Sequence, residues 1–288
     1  MHSRIALFCA LAATAWAQDA AIKQVEIYGQ KIYYQEAGSG PDVILLHGLG
    51  GDRGAWSFTV PALAARYHVY APDQVGFGQS DKPALDYRVG TLVDFLDVFY
   101  KKLGITRATL VGNSMGGWVA LEFALAHPEK VNRLVLVDSA GYSYKRTGGP
   151  PLTQEMLQGL NPSTLAGEKH LMALVFHNQM YSSDAFVERA FTAHLLKNDG
   201  YTIDRFIDSV LRGEDVVDGR LGGIKAPTLI VWGREDALVP LATAKALAED
   251  IPGAETVILD GCGHVPPVEC ATPFNAALLK YLGAGGAQ

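Results

Sequence analysis

Short, largely apolar runs recur along the chain at 42–46, 108–111, 133–138, 227–233 and 256–259, and glycine, histidine or aspartate ends each of them or follows it directly. A run of that length without polar alternation suits a strand buried on both faces of a parallel sheet, where each face meets helices. A further short strand is predicted at 68–71. Residues 24–37 instead alternate about Tyr28-Gly29-Gln30, which predicts two strands and a tight hairpin. Between the runs, apolar groups at helical spacing predict helices over 56–66, which contains a proline, over 92–103, and from Met115 onward through Trp118, Leu121, Phe123 and Leu125. Strands alternating with helices in this rhythm specify the α/β class, with a mainly parallel sheet covered on both faces.

After Gly141 the rhythm breaks. Gly148-Gly149-Pro150-Pro151 punctuates the start, helices are predicted near 165–177, 184–197 and 202–211, and no strand is convincing before Gly223. The economical reading is a helical cap at 141–223, inserted between two parts of one core at 18–140 and 224–288.

Composition changes the picture at the N-terminus. Arg4 precedes the apolar run 5–16, and Ala15-Trp16-Ala17 fits a small-x-small cleavage site, so 1–17 reads as a signal peptide and the mature chain as exported, periplasmic or secreted. That run falls short of the roughly 20 apolar residues a spanning helix needs, and no later stretch reaches it, so no integral membrane segment is expected in the mature chain. A net charge of −6 without a basic cluster disfavours nucleic-acid binding. Cys262 and Cys270 flank His264; in an oxidising compartment they can pair, and two small buried thiols are the favoured alternative.

Candidate chemistry gathers at strand ends. In Gly112-Asn113-Ser114-Met115-Gly116-Gly117, Ser114 falls on the turn between a buried strand and a helix. The residues two before and two after it must be small for the chain to double back, and Gly112 and Gly116 meet that need. Such a turn places a nucleophile, although Ser114 as a plain helix N-cap is the competing interpretation. The loop His47-Gly48-Leu49-Gly50-Gly51 lacks both phosphate-cradle spacings, G-x-x-x-x-G-K-[ST] and G-x-G-x-x-G. It is better suited to aim the backbone N–H of Leu49 at a developing oxyanion, with His47 as a structural residue that fixes the loop. Asp73 and Asp81, among many turn formers, read as turn and capping residues. Asp236 and His264 each follow a predicted strand, where ligands bind in an open α/β sheet. No histidine pair has zincin spacing, and Cys262 with Cys270 makes a poor metal site, so neither metal nor cofactor is expected.

On His47-Gly48, the Ser114 hexapeptide, Gly233-Arg234-Glu235-Asp236 and Gly263-His264, in the chain order Ser, Asp, His, the sequence resembles the α/β-hydrolase family in its serine hydrolase branch. The resemblance covers nearly the whole mature chain and implies an eight-stranded, mainly parallel sheet flanked by helices, with the helical cap as a lid. It also implies a triad of Ser114, Asp236 and His264, an oxyanion hole from the N–H groups of Leu49 and Met115, and support from His47, Gly48, Gly112 and Gly116. Asp138, after an earlier strand, is the alternative acid. Glu235 adjoins Asp236 but is expected to point the other way, and His170, His177 and His194 fall in the cap.

A serine rather than an aspartate at the elbow argues against halide- and epoxide-opening relatives. Acyl transfer to water remains, with hydrolysis of a small-molecule carboxylic ester through an acyl-enzyme as the leading expectation. The chain is compatible with a monomer or a homodimer. The alternative is carbon–carbon hydrolysis of the meta-cleavage product type, which the Ser114 motif and Gly76-Phe77-Gly78-Gln79-Ser80-Asp81 resemble. Against it stand the short Gly48-Leu49-Gly50-Gly51 loop, Val265 where that branch commonly has tryptophan, and export. A non-catalytic small-molecule receptor on the same scaffold is a third possibility.

Overall fold

Side chains alternate across a strand, so an apolar run in a covered sheet must feed two layers at once. In the computed structural model, which describes residues 20–148 and 152–284, the central strands do this. Ile44, Leu46, Leu110, Leu134, Leu136, Ile230 and Trp232 enter one buried cluster, while Val43, Leu45, Val111, Val135, Val137, Leu229 and Val231 enter the other. The predicted signal peptide at 1–17 lies outside the described residues, as do 149–151 at the start of the helical insert. Among the described residues no helix is long and apolar enough to cross a membrane.

The strands are β1 (Ala21–Ile27), β2 (Gln30–Ala37), β3 (Asp42–Leu46), β4 (His68–Pro72), β5 (Ala108–Asn113), β6 (Val131–Val137), β7 (Thr228–Gly233) and β8 (Glu255–Leu259). They form one sheet in the order β1-β2-β4-β3-β5-β6-β7-β8. The β1–β2 and β2–β4 pairings are antiparallel and the rest parallel. Tyr28 and Gly29, both at positive φ, make the two-residue hairpin turn that joins β1 to β2.

Helices α1 (Val60–Ala64), α2 (Val89–Leu103) and α3 (Met115–Ala126) lie between strands of the first half. Between β6 and β7 come α4 (Tyr144–Thr147), α5 (Gln154–Gln158), α6 (Leu165–Val175), α7 (Asp184–Lys197) and α8 (Gly200–Leu211). Then α9 (Leu241–Asp250) precedes β8, and α10 (Pro266–Glu269) and α11 (Ala271–Gly283) follow it. Residues of α2, α3, α8 and α9 pack on the first cluster, whereas Val60 and Leu63 of α1 and Phe274 and Leu278 of α11 pack on the second.

The predicted helix at 56–66 is shorter and later, with a 3-10 turn at Arg53–Trp56 and α1 only from Val60. Pro61 is tolerated in the first helical turn, where a missing N–H costs nothing, and not in the interior. The helix predicted at 165–177 stops at Val175, because Phe176 is extended at φ −116° and ψ 132° and the chain turns to meet the loop before α10. Helices α9 and α11 lie where the pattern predicts no element; small alanines blur their apolar faces.

Two loops at the carboxyl edge of the sheet are locked by buried polar groups. Nδ1–H of His47 donates to Gly48 O at 2.8 Å, and Nε2 accepts the Gln74 N–H at 3.0 Å, which assigns the neutral Nδ1–H tautomer. The Gln74 side chain returns a bond to His47 O at 2.9 Å. Asp73, fully buried, accepts from Arg53 N and Gln79 N and pairs with the Arg53 guanidinium. Asp81 accepts the Lys31 N–H at 2.7 Å. Asp73 thus braces its own loop through Gln79 and ties it to Arg53, while Asp81 ties the loop to β2 rather than capping a turn. Cys262 and Cys270 are disulfide-bonded with Cα atoms 6.0 Å apart, against the favoured expectation of free thiols. The turn into α10 brings them within bridging range.

Reduction of this disulfide, which spans a separation of 8 residues, is expected to lower stability by about 2–3 kcal/mol, read from urea midpoints with and without reductant. A pH effect is expected at His47, whose pKa burial holds below its ordinary 6.5. As pH falls below 6.5 the unfolded chain binds a proton that the folded chain refuses, so stability falls toward acid by up to about 1.4 kcal/mol per pH unit from this group. Urea unfolding of wild type and His47→Gln at pH 7 and 5.5 should show the steeper acid loss in wild type.

Candidate active site

Strand β5 ends at Asn113 and helix α3 begins at Met115, so Ser114 alone makes the reversal. Its backbone sits at φ 55° and ψ −119°, a sparsely populated region that costs on the order of 1–3 kcal/mol. The surroundings hold it there. Ser114 N–H donates to Val137 O at 2.9 Å, and Ser114 O accepts from Trp118 N and Ala140 N. A Cβ on Gly112 would strike Gly116 O, and one on Gly116 would strike Leu46 O, so both glycines are required by close backbone approach. A Cβ on Gly48 would lie 3.2 Å from Ser114 Cβ, which sets the Gly48–Leu49 peptide beside the serine. Gly51 N–H closes that turn on Gly48 O at 3.1 Å. Met115 opens α3, where an N–H has no acceptor within its own helix.

His264, in the loop between β8 and α10, is buried, and its Nδ1 lies 2.7 Å from Asp236 Oδ2. A carboxylate only accepts, so Nδ1 carries the proton. The other Asp236 oxygen accepts from Leu238 N at 2.8 Å and Val239 N at 2.9 Å, which fixes the carboxylate in its own turn. Nε2 of His264 has no hydrogen-bond partner among the described residues, the Ser114 hydroxyl included. Contact between the two segments runs through Asn113, whose Nδ2 donates to His264 O at 3.0 Å and Val137 O at 3.1 Å. The residue before Ser114 is therefore anchored on the backbone of His264.

Asp138 lies beside this pair but is not bonded to the imidazole. One of its oxygens accepts the Gly233 N–H at 2.9 Å, and the side chain also lies within hydrogen-bonding range of the Asp236 carboxylate, to which it can donate only when protonated. Burial, and then the charge of Asp236, push its carboxyl well above the usual carboxylate range. Ligand atoms of Asp138, Asp236 and His264 lie within 4.8 Å of one another, but with Nδ1 protonated and bonded to Asp236 and the Asp138 carboxyl favoured in its neutral form, the trio is engaged with itself and offers a cation a poor site. Glu235 accepts the Cys262 N–H at 2.9 Å, so its carboxylate is engaged on the backbone of the His264 loop. His170 and His194 sit on α6 and α7, and His177 just after α6.

Sequence reasoning assigned no task to Asn113, Gln74, Lys197 or Glu269. Lys197 of α7 donates to Gly50 O at 2.9 Å and pairs with Asp52 at 2.9 Å, joining the helical insert to the glycine loop. Glu269 accepts the Gly263 N–H at 2.7 Å. The Lys197 bond joins residues 147 apart in the chain, and no spacing signals either contact.

A family profile described as the alpha/beta hydrolase family matches residues 43–277. A 2-hydroxy-6-oxo-6-phenylhexa-2,4-dienoate hydrolase of Burkholderia cepacia is 35% identical over 277 residues, covering 88% of this chain and 92% of that protein. Among solved structures, a meta-cleavage product hydrolase of Pseudomonas fluorescens superposes with a TM-score of 0.82 at 28% identity, over 92% of this chain and 98% of that one. A bacterial membrane phospholipase A superposes with a TM-score of 0.79 at 30% identity, over 92% and 86%. With the profile spanning most of the chain and the sheet order to match, this protein belongs to the α/β-hydrolase family.

Proposed function

We propose that this hydrolase cleaves a carbon–carbon bond in a 2-hydroxy-6-oxo-dienoate, with Ser114 as nucleophile, His264 as general base and acid, and Asp236 as the group that orients the imidazole. The observation that carries the chemistry is the buried His264–Asp236 bond, with Nε2 unpaired and the His264 backbone held by the neighbour of Ser114. The substrate class is supported by the relatives that cover nearly the whole chain.

In this mechanism Nε2 takes the Ser114 proton as the hydroxyl oxygen adds to the ketone carbon. The N–H groups of Leu49 and Met115 hold the resulting oxyanion, and losing one such donor costs about 3 kcal/mol. The dienol is first ketonised, its 2-hydroxyl proton moving to the carbon next to the ketone, so collapse breaks the carbon–carbon bond and expels a delocalised dienolate, whose oxygen takes the proton held on Nε2 and which departs as a hydroxydienoate. Water, deprotonated by the same Nε2, then frees the acyl group from Ser114. The helices at 141–223 would cover the site as a lid, held to the glycine loop by Lys197.

Carboxylic-ester hydrolysis is the second reading, and it needs the same residues with an alkoxide in place of the carbon leaving group. Two observations favour it. The likeness to a membrane phospholipase A is one, and the Cys262–Cys270 bond, which suits an exported enzyme, is the other.

Purified protein given 2-hydroxy-6-oxo-6-phenylhexa-2,4-dienoate and a series of p-nitrophenyl acyl esters decides between the readings. A kcat/KM for the dienoate above that for every ester, followed by loss of the dienoate chromophore, is the expected result; the reverse order establishes the ester reading. No turnover of either class would leave a receptor. Ser114→Ala should lower kcat by about 10⁴-fold or more, and Asp236→Asn by on the order of 10²–10⁴-fold, with the fold intact by circular dichroism. Undiminished turnover in Ser114→Ala would remove the nucleophile assignment.

A further inference from the structure

We propose that Glu269 is a positioning residue, which holds the His264 loop in register with the helical insert; the inference rests on the reading of His264 as general base. Its carboxylate stands between two backbone segments, the loop before His264 and the strip after α6. One oxygen accepts the N–H of Gly263, the residue before His264, at 2.7 Å and the N–H of His177 at 3.3 Å. The other accepts the N–H of Asn178 at 2.5 Å. Beside it, Val175 O accepts the His264 N–H at 2.8 Å. The strip that leaves α6 therefore runs against the backbone of Gly263 and His264, and Glu269 closes it from the other side.

The packing leaves little freedom at this junction. A Cβ on Gly263 would come within 2.7 Å of Val175 O, 2.8 Å of His177 N and 2.9 Å of the Glu269 carboxylate. On the insert side, Phe176 stacks on Tyr181 with centroids 4.1 Å apart, and both meet Phe186 of α7 edge-on. On the core side, Cys270 follows Glu269 directly and is bonded to Cys262, so the carboxylate is carried on a segment tied to the loop it holds.

Charge explains the residue type. A carboxylate has two acceptor oxygens and meets only N–H donors here, whereas an amide has one acceptor and one donor group, so a glutamine either loses the Gly263 and His177 bonds together or keeps them and sets its NH2 against the Asn178 N–H. Since misplacing a reacting group by about 1 Å can cost 10²-fold in rate, either loss acts on kcat through the imidazole without touching the substrate.

The test compares full-length wild type, Glu269→Gln and Asn178→Pro. Asn178 sits at φ −72°, which proline adopts, so that variant removes one of the two insert-side N–H groups and leaves the carboxylate in place, with Asn178→Ala as the control for the lost Asn178 Oδ1 bond to Met180 N. For Glu269→Gln the expectation is a kcat lower by about 10- to 100-fold with KM nearly unchanged, and a Ser114 phosphonate-labelling rate that falls in parallel. Asn178→Pro should show a smaller loss of the same kind. A readout independent of substrate is the low-field proton resonance of His264 Nδ1–H, sharp in wild type and broadened in Glu269→Gln.

A folded Glu269→Gln with wild-type kcat and a sharp resonance overturns the proposal, as does a loss confined to KM. If Glu269→Gln does not fold, the same two readings on Asn178→Pro decide it. Failure of the nucleophile reading would show separately, as turnover persisting in Ser114→Ala, and the Nδ1–H resonance would still judge Glu269.

Discussion

The chain reverses direction from a central strand into a helix through a single residue, and everything at this edge of the sheet depends on that reversal being compact. The turn at Ser114 is tight because the backbone of β5, the first turn of α3 and the end of β3 touch directly at Gly112 and Gly116, where no side chain fits. Contact between backbones substitutes for side-chain packing there. It also holds Ser114 at a positive φ that an L-residue would ordinarily leave, because the strain on one residue is small beside the buried area of α3 and the strands it covers.

A second constraint follows from burying the carboxyl ends of parallel strands. Polar groups brought there by the loops lose water, and each must find a partner inside the protein. His47 resolves this as a neutral imidazole between Gly48 O and the Gln74 N–H, and Asn113 resolves it by bridging Val137 O and His264 O. Asp236 uses one oxygen on its own turn and the other on His264. Against that background Nε2 of His264, unpaired among the described residues, stands out as a group the fold has not spent on its own stability.

The helical insert belongs to the same network rather than resting on the core through apolar contact alone. Lys197 reaches the glycine loop after β3, and the strip after α6 reaches the loop after β8. A displacement of the insert would therefore be felt at both loops.

From the chain alone, the strands were legible because a doubly covered strand has no polar face, and that pattern is local. Ser114, Asp236 and His264 stood out because each follows such a run in a particular order, with glycines wherever backbones must touch. Other features were legible only in three dimensions. Pro61 shortened a predicted helix, Phe176 ended another early, and the cysteines paired across a turn whose shape no spacing reveals. The roles of Asn113, Lys197 and Glu269 rest on bonds to backbone groups up to 151 residues away in the chain. A backbone N–H or C=O is the same in every residue, so its demand for a partner leaves no trace in sequence, and only the assembled structure decides which side chain meets it.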